Sequence, residues 1–347
     1  MNDRSAKPDR KGLGATMTDV AALAGVTKMT VSRVLRQPER VHPDTRARVA
    51  LAIERLGYIP NQVAGSLTRG RSGLVAAIVP TLRHSLFADT LEGVGDVLAE
   101  SGIGLIVAAS SYRADVEEMQ IRAMLERRPD ALVLTGLTHT AEIRTLLETV
   151  GIPVVETWES SDAPIDMAVG FSNREAARRM TLALVEAGYR RIVFVNGPSE
   201  TNERARHRAA GYGQAMVESG LDALPVHIVR DEEAIRPETG ATALLSLIKR
   251  DQAIDAVFFT SDIYAVGALL ACRAHGLDVP ERLGIAGFHD LDVGRIVTPQ
   301  LTTVHVPALE IGQKAGEMIV ARLNGRLVAD RRHEFPFRIV MRSSTRR

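Results

Sequence analysis

The sequence predicts a small all-α head followed by an α/β core of two doubly wound lobes. Two short helix patterns meeting at Gly25, a change of pattern near Leu74, and some ten apolar runs of strand length beyond it carry that prediction. Charge divides at the same place. Met1–Gly73 holds 13 Lys+Arg against 6 Asp+Glu, and the remainder holds 30 against 36, so a near-neutral chain is basic at one end only. That asymmetry points to a polyanion as partner of the head.

Residues 1–15 are polar and charged and read as a disordered basic tail. Residues 16–60 form the head. Thr18–Ala24 is one helix pattern and Lys28–Leu35 a second, with Gly25-Val26-Thr27 as the bend. Ala21, Ala24, Val26, Val31 and Val34 fall at helical spacings, so the pair can cross steeply around small apolar residues. Lys28, Met29 and Arg33 then project outward from the second helix, where a helix-turn-helix offers side chains to base edges in the major groove. An αα-hairpin without that role has the same outline, and the charge of the head favours DNA. A third helix is predicted across Pro43–Leu56, with proline in its first turn and Gly57 just past its end.

From residue 73 to 342 apolar runs alternate with helical stretches. The runs are Leu74–Val79, Gly104–Ala109, Ala131–Thr135, Pro153–Thr157, Met167–Phe171, Arg191–Asn196, Val226–Val229, Ala256–Thr260, Gly284–Phe288 and Leu301–Val306. Helices are predicted between them, among others at Phe87–Glu100, Val116–Arg127, Arg174–Ala187, Glu238–Arg250 and Asp262–His275. Continuous apolar strands separated by helices indicate parallel sheets covered on both faces. So many strands suggest two lobes with a ligand cleft between them, outside the carboxyl ends of the strands. Residues 343–347 are read as a tail.

Composition narrows the function. At 347 residues and 45% hydrophobic content the chain can bury a large core. Cys272 is its single cysteine, and no clustered Cys/His spacing suggests zinc, so neither a metal nor a cofactor is expected. No leader and no apolar stretch of about 18 residues is present, which gives the expectation of a cytoplasmic protein without membrane contact. No P-loop or nucleophile elbow argues for an enzyme. Gly93-Val94-Gly95 lies inside a helical stretch and lacks the third glycine of a phosphate loop.

The ordered motifs Asp19-Val20-Ala21-x-x-Ala24-Gly25-Val26-Thr27, Thr30-Val31-Ser32-Arg33-Val34-Leu35, Leu56-Gly57-Tyr58-Ile59-Pro60-Asn61, Asp262-Ile263-Tyr264-Ala265-Val266-Gly267 and Pro299-Gln300-Leu301-Thr302-Thr303-Val304 resemble the lactose-repressor (LacI/GalR) family of bacterial transcription regulators. The resemblance runs from Thr16 to about Arg342. It implies a periplasmic-binding-protein-like core and a homodimer on a palindromic, double-stranded operator, controlled by a small effector. In the head it implies base reading by Lys28, Met29 and Arg33. Backbone contacts would come from Thr27, Thr30, Ser32, Asn61 and Arg69. Residues 61–72 match the hinge helix, with Leu67 as a minor-groove wedge. Taken alone, that segment reads first as a flexible linker with an incidental leucine.

In the cleft the resemblance places Arg208, Asp262 and His289 against the effector, with Phe87 and Trp158 as walls. Thr138-His139-Thr140, Pro153-Val154-Val155-Glu156, Ala168-Val169-Gly170-Phe171 and Gly287-Phe288-His289 look like the gluconate-sensing branch, which adds His139 and Glu156. Taken singly, such His and Glu residues are also ordinary loop residues. His289 stands where the family commonly has Asp, and Arg208, with Arg204 or Arg206 beside it, adds positive charge. The expected effector is therefore a sugar acid of the gluconate type that releases a repressor from its operator. A co-repressor-dependent regulator of another metabolite, or a cytoplasmic sugar-binding protein or enzyme, is the alternative.

Overall fold

A computed structural model describes residues 15–59, 71–83, 85–197, 202–229 and 235–346. The predicted tail up to residue 14, and Asn61, Leu67 and Arg69 of the hinge, lie outside the described residues. The chain divides between Ser72 and Gly73 into a head and a core.

The head comprises α1 (Met17–Ala24), α2 (Lys28–Arg36), a single 3₁₀ turn (Pro38–Arg40) and α3 (Pro43–Leu56). A capping box opens α1. Thr16 Oγ1 accepts the Asp19 N–H at 3.4 Å, and the Asp19 carboxylate accepts the Thr16 N–H at 2.8 Å. Gly25 closes α1 at φ +64°, a left-handed conformation that other residues enter at a penalty. Val20, Val31 and Val49, one from each helix, are fully buried, and Ala21, Ala24, Ala52 and Tyr58 complete the core around them.

The first lobe of the core is built from β1 (Leu74–Val79), α4 (Ser85–Glu100), β2 (Gly104–Ala109), α5 (Ala114–Leu125), β3 (Ala131–Thr135), α6 (Ala141–Thr149), β4 (Val154–Thr157) and β5 (Met167–Gly170). The chain then crosses to the second lobe: α7 (Asn173–Glu186), β6 (Ile192–Asn196), α8 (Glu203–Glu218), β7 (His227–Ile228), α9 (Pro237–Arg250), β8 (Ala256–Phe259), α10 (Asp262–Ala274), β9 (Gly284–Ala286), α11 (Asp292–Ile296) and β10 (Thr303–His305). It returns to the first lobe with α12 (Ala308–Leu323) and β11 (Arg332–Glu334), and crosses back once more so that β12 (Arg338–Val340) pairs antiparallel with β10.

Both main sheets are parallel, in the orders β11-β5-β4-β3-β1-β2 and β7-β6-β8-β9. Strand β1 shows why its sequence is a continuous apolar run. Val75, Ala77 and Val79 feed one buried cluster while Ala76 and Ile78 feed another on the opposite face. Helices α4 and α12 pack so closely that a Cβ on Gly93 would collide with the Leu309 carbonyl, and one on Gly312 with the Thr90 carbonyl. Gly93 is thus a helix-packing residue and not part of a phosphate loop.

The sequence-based boundary at Arg342 falls short. Ser344 and Thr345, read as a tail, are fully buried. The Ile285 N–H donates to Ser344 O at 3.0 Å, Ser344 Oγ donates back to Ile285 O at 2.6 Å, and Thr345 Oγ1 bonds Thr302 Oγ1 at 2.6 Å. These residues complete the second lobe. No described helix is long and apolar enough to cross a membrane.

Candidate functional site

The head presents one charged helix face. Thr27 caps α2, its hydroxyl accepting the Thr30 N–H at 3.2 Å and bonding Thr30 Oγ1 at 3.0 Å. Val31 turns inward, which turns Lys28, Met29 and Arg33 outward. Met29 is 71% exposed, unusual for so apolar a side chain, and sits one turn from Arg33. Among the described residues neither Lys28 nor Arg33 is held in an ion pair. Ser32, expected at the backbone, is half-buried.

In the core, strand order reverses at β1/β3 and at β6/β8, and a cleft of about 750 Å³ opens beyond the strand ends. Its lining includes residues just past β1 (Thr81, Arg83), β2 (Ser111, Tyr112), β4 (Trp158), β6 (Gly197) and β8 (Thr260). Ser111, Tyr112, Trp158 and His289 all line it with φ between +54° and +108°. Strained backbone of this kind concentrates at ligand sites.

Phe87 and Trp158 form a wall, their rings edge-to-face at 5.5 Å, with His289 in turn 6.2 Å from Trp158. Arg208 on α8 is buried. Its Nε donates to Asn173 Oδ1 at 2.7 Å, its Nη1 donates to the Thr260 carbonyl at 2.8 Å, and its guanidinium lies 4.0 Å over the Phe288 ring. Burial, with the positive charge of Arg204 nearby, pulls the Arg208 guanidinium down to about 9. Phe87, Trp158, Arg208 and His289 are therefore brought together in the cleft.

Three expected residues are not in the cleft. Asp262 is fully buried behind it, accepting from Thr303 Oγ1 at 2.6 Å and from the Leu291 N–H at 2.7 Å. Burial pushes its carboxyl up to about 7. It fixes the loop that carries His289 and leaves its neighbours Ser261 and Tyr264 to face the cleft. His139 and Glu156 lie on the other side of the first sheet. Glu156 shares the strand parity of Val154, whose side chain joins the cluster beneath α5, so it meets Glu117 of that helix through His139. His139 Nδ1 is 2.9 Å from Glu117 and Nε2 is 3.4 Å from Glu156. Burial opposes a charged ring there, but the two carboxylates outweigh it and push His139 up to about 9.

Arg204, named from the sequence only as a possible added charge beside Arg208, lines the cleft, and so does Tyr112, which was not singled out; scanning every strand end for its following polar residues would have found Tyr112. The lobes also meet beside the cleft. The Leu137 N–H of the first donates to Glu203 Oε1 of the second at 2.9 Å, and His207 Nδ1 lies 2.8 Å from Glu159 Oε2. Among the described residues no group of His, Cys, Asp and Glu is placed to hold a metal ion.

Comparison with known proteins decides the family. Residues 16–61 match the model of bacterial regulatory proteins of the lacI family, and residues 181–345 match a periplasmic binding protein-like domain. The chain is 36% identical over 321 residues to the HTH-type transcriptional regulator GntR of Escherichia coli K12, covering 92% of this chain and 96% of that one. The chain belongs to the LacI family. The likeness extends over 96% of this chain: a LacI-family regulator from Silicibacter pomeroyi superposes with a TM-score of 0.90 at 34% identity, and all of that chain is covered. The regulator IdnR of Escherichia coli K12 is 35% identical over 89% of this chain and 92% of its own. As a LacI-family transcription regulator the chain binds operator DNA through the head and a small-molecule effector through the core.

Proposed function

We propose that this regulator is a cytoplasmic homodimeric repressor that a sugar acid of the gluconate type releases from a pseudo-palindromic operator. One observation carries the anionic part of the reading. Two buried guanidinium groups, Arg204 and Arg208, line a cleft in which Asp115 alone of the described lining residues is a carboxylate, and Asp115 is exposed and already paired with Arg113. A cleft with that balance favours a ligand bearing negative charge. Similarity to GntR and IdnR agrees with the branch read from the sequence. Two-fold symmetry of the protein would be mirrored in the operator, with α2 of each protomer in a major groove and the hinge segments between them.

Calorimetric titration of the protein with gluconate and with glucose, followed by operator binding in the presence of whichever binds, tests this reading. Gluconate should bind and weaken the operator complex. A tenfold release corresponds to about 1.4 kcal/mol of coupling. Preferential binding of neutral hexose would refute the anionic effector, and tightening of the operator complex by gluconate would refute release.

A further inference from the structure

We propose that Arg204 selects acid over neutral sugar by receiving the effector's carboxylate. This rests on the anionic reading above and assigns its charge recognition to one side chain.

The two guanidinium groups differ in how far they are already committed. Arg208 is bonded to Asn173 and to both oxygens of Thr260, and one of its faces is covered by Phe288. It ties α7, α8 and the end of β8 into one wall. Arg204 is as deeply buried, at 7% exposed, yet its Nη1 has no hydrogen-bond partner among the described residues. The nearest carboxylate, Glu203, stands 4.0 Å from Nη1, and that carboxylate already accepts the Leu137 N–H. A buried cation with one distant counter-charge and no acceptor for its Nη1 is unfavourable until an anion arrives.

A second donor makes the same demand. Trp158 is 1% exposed, lines the same cleft from the other lobe, and its indole Nε1 has no hydrogen-bond partner among the described residues. A carboxylate accepts through two oxygens and donates nothing, so it suits a guanidinium and an indole N–H together. Arg204 also lies in the first turn of the sixteen-residue helix α8, where the helix dipole favours negative charge. A sugar hydroxyl could accept one of these hydrogen bonds but would leave the charge of Arg204 balanced only by Glu203 at 4.0 Å.

The test compares gluconate with gluconamide, its uncharged amide, by calorimetry on the full-length protein. Wild type should prefer the acid by about tenfold or more, the factor expected of one charge-assisted hydrogen bond. Arg204→Gln should bring the two ligands to within about threefold of each other by weakening the acid alone. Arg204→Lys, which keeps the charge, should retain a preference for the acid, so loss of charge is distinguished from loss of fold. An unchanged acid-to-amide ratio in Arg204→Gln overturns the assignment to Arg204. Wild-type protein that binds the amide as well as the acid overturns the anionic reading itself.

Discussion

Asn173 joins Arg208 to the opposite wall of the cleft. Its Oδ1 accepts the Arg208 Nε–H at 2.7 Å, and its own Nδ2 donates to the Trp158 carbonyl at 2.8 Å. Asn173 is fully buried, so Asn173→Ala would strand a guanidinium N–H and a carbonyl where no water replaces them. We expect a loss of about 1.5–3 kcal/mol in unfolding free energy, together with weaker effector binding. Asn173→Asp should recover part of the stability through the Arg208 bond. Equal urea midpoints for Asn173→Ala and wild type would show the relay to be energetically idle.

Arg33→Ala should weaken operator binding by about 1–3 kcal/mol and relax preference at one base pair per half-site, as expected for loss of a bidentate guanine contact. The exposure of Arg33 on the same face as Met29 motivates this. Selection from a randomised operator library reads the preference. If the mutant selects the same sequence as wild type, α2 does not read bases through Arg33.

His139 should make the core pH-sensitive on the alkaline side. Its folded value, about 9, lies above the ordinary 6.5, so its charged form stabilises the fold fully below about pH 6.5. That contribution is lost as pH rises through about 9, at up to about 1.4 kcal/mol per pH unit. Thermal unfolding of wild type between pH 6.5 and 9.5 should show the decline, and His139→Gln should flatten it. A mutant with the wild-type slope would assign the dependence to another group, such as His207, which Glu159 also holds above its ordinary value.

Gly312→Ala should separate α12 from α4, because the added methyl collides with the Thr90 backbone rather than with a side chain that could turn away. The expected penalty is about 1–3 kcal/mol or more, felt as a lower melting temperature. Thr90 Oγ1, which donates to Ala308 O at 3.0 Å, would lose its register as well. Undiminished stability in the mutant would mean that the helices can part without consequence.

The main strands were legible because a strand buried on both faces leaves an unbroken apolar run, as in Ala131–Thr135 and Ala256–Phe259. Strands β11 and β12 were not, since Arg-His-Glu and Arg-Ile-Val carry charge and pair at sheet margins. Ser344 and Thr345 gave no signal at all, because small polar residues are buried here through hydrogen bonds and not through hydropathy. In the cleft, Phe87, Trp158, Arg208 and His289 could be placed by motif. Glu156 was misplaced because motif order does not give strand parity. Asp262 was misplaced because a buried carboxylate that braces a loop has the same sequence context as one that meets a ligand. The left-handed backbone at Ser111 and Trp158, neither of them glycine, is a property of the folded chain alone.

Neither lobe is continuous in sequence, and this orders events during synthesis. The first lobe lacks α12 and β11 until the whole second sheet has been made, and the second lobe lacks Thr345 until after that. The head, by contrast, is complete once Tyr58 has emerged. A growing chain therefore finishes its helix-turn-helix head while its sensor is still open. Ribosome-bound chains arrested near residue 300 and treated with protease should yield a protected head beside a digested core, whereas protection of both would mean that the lobes close without their returning segments.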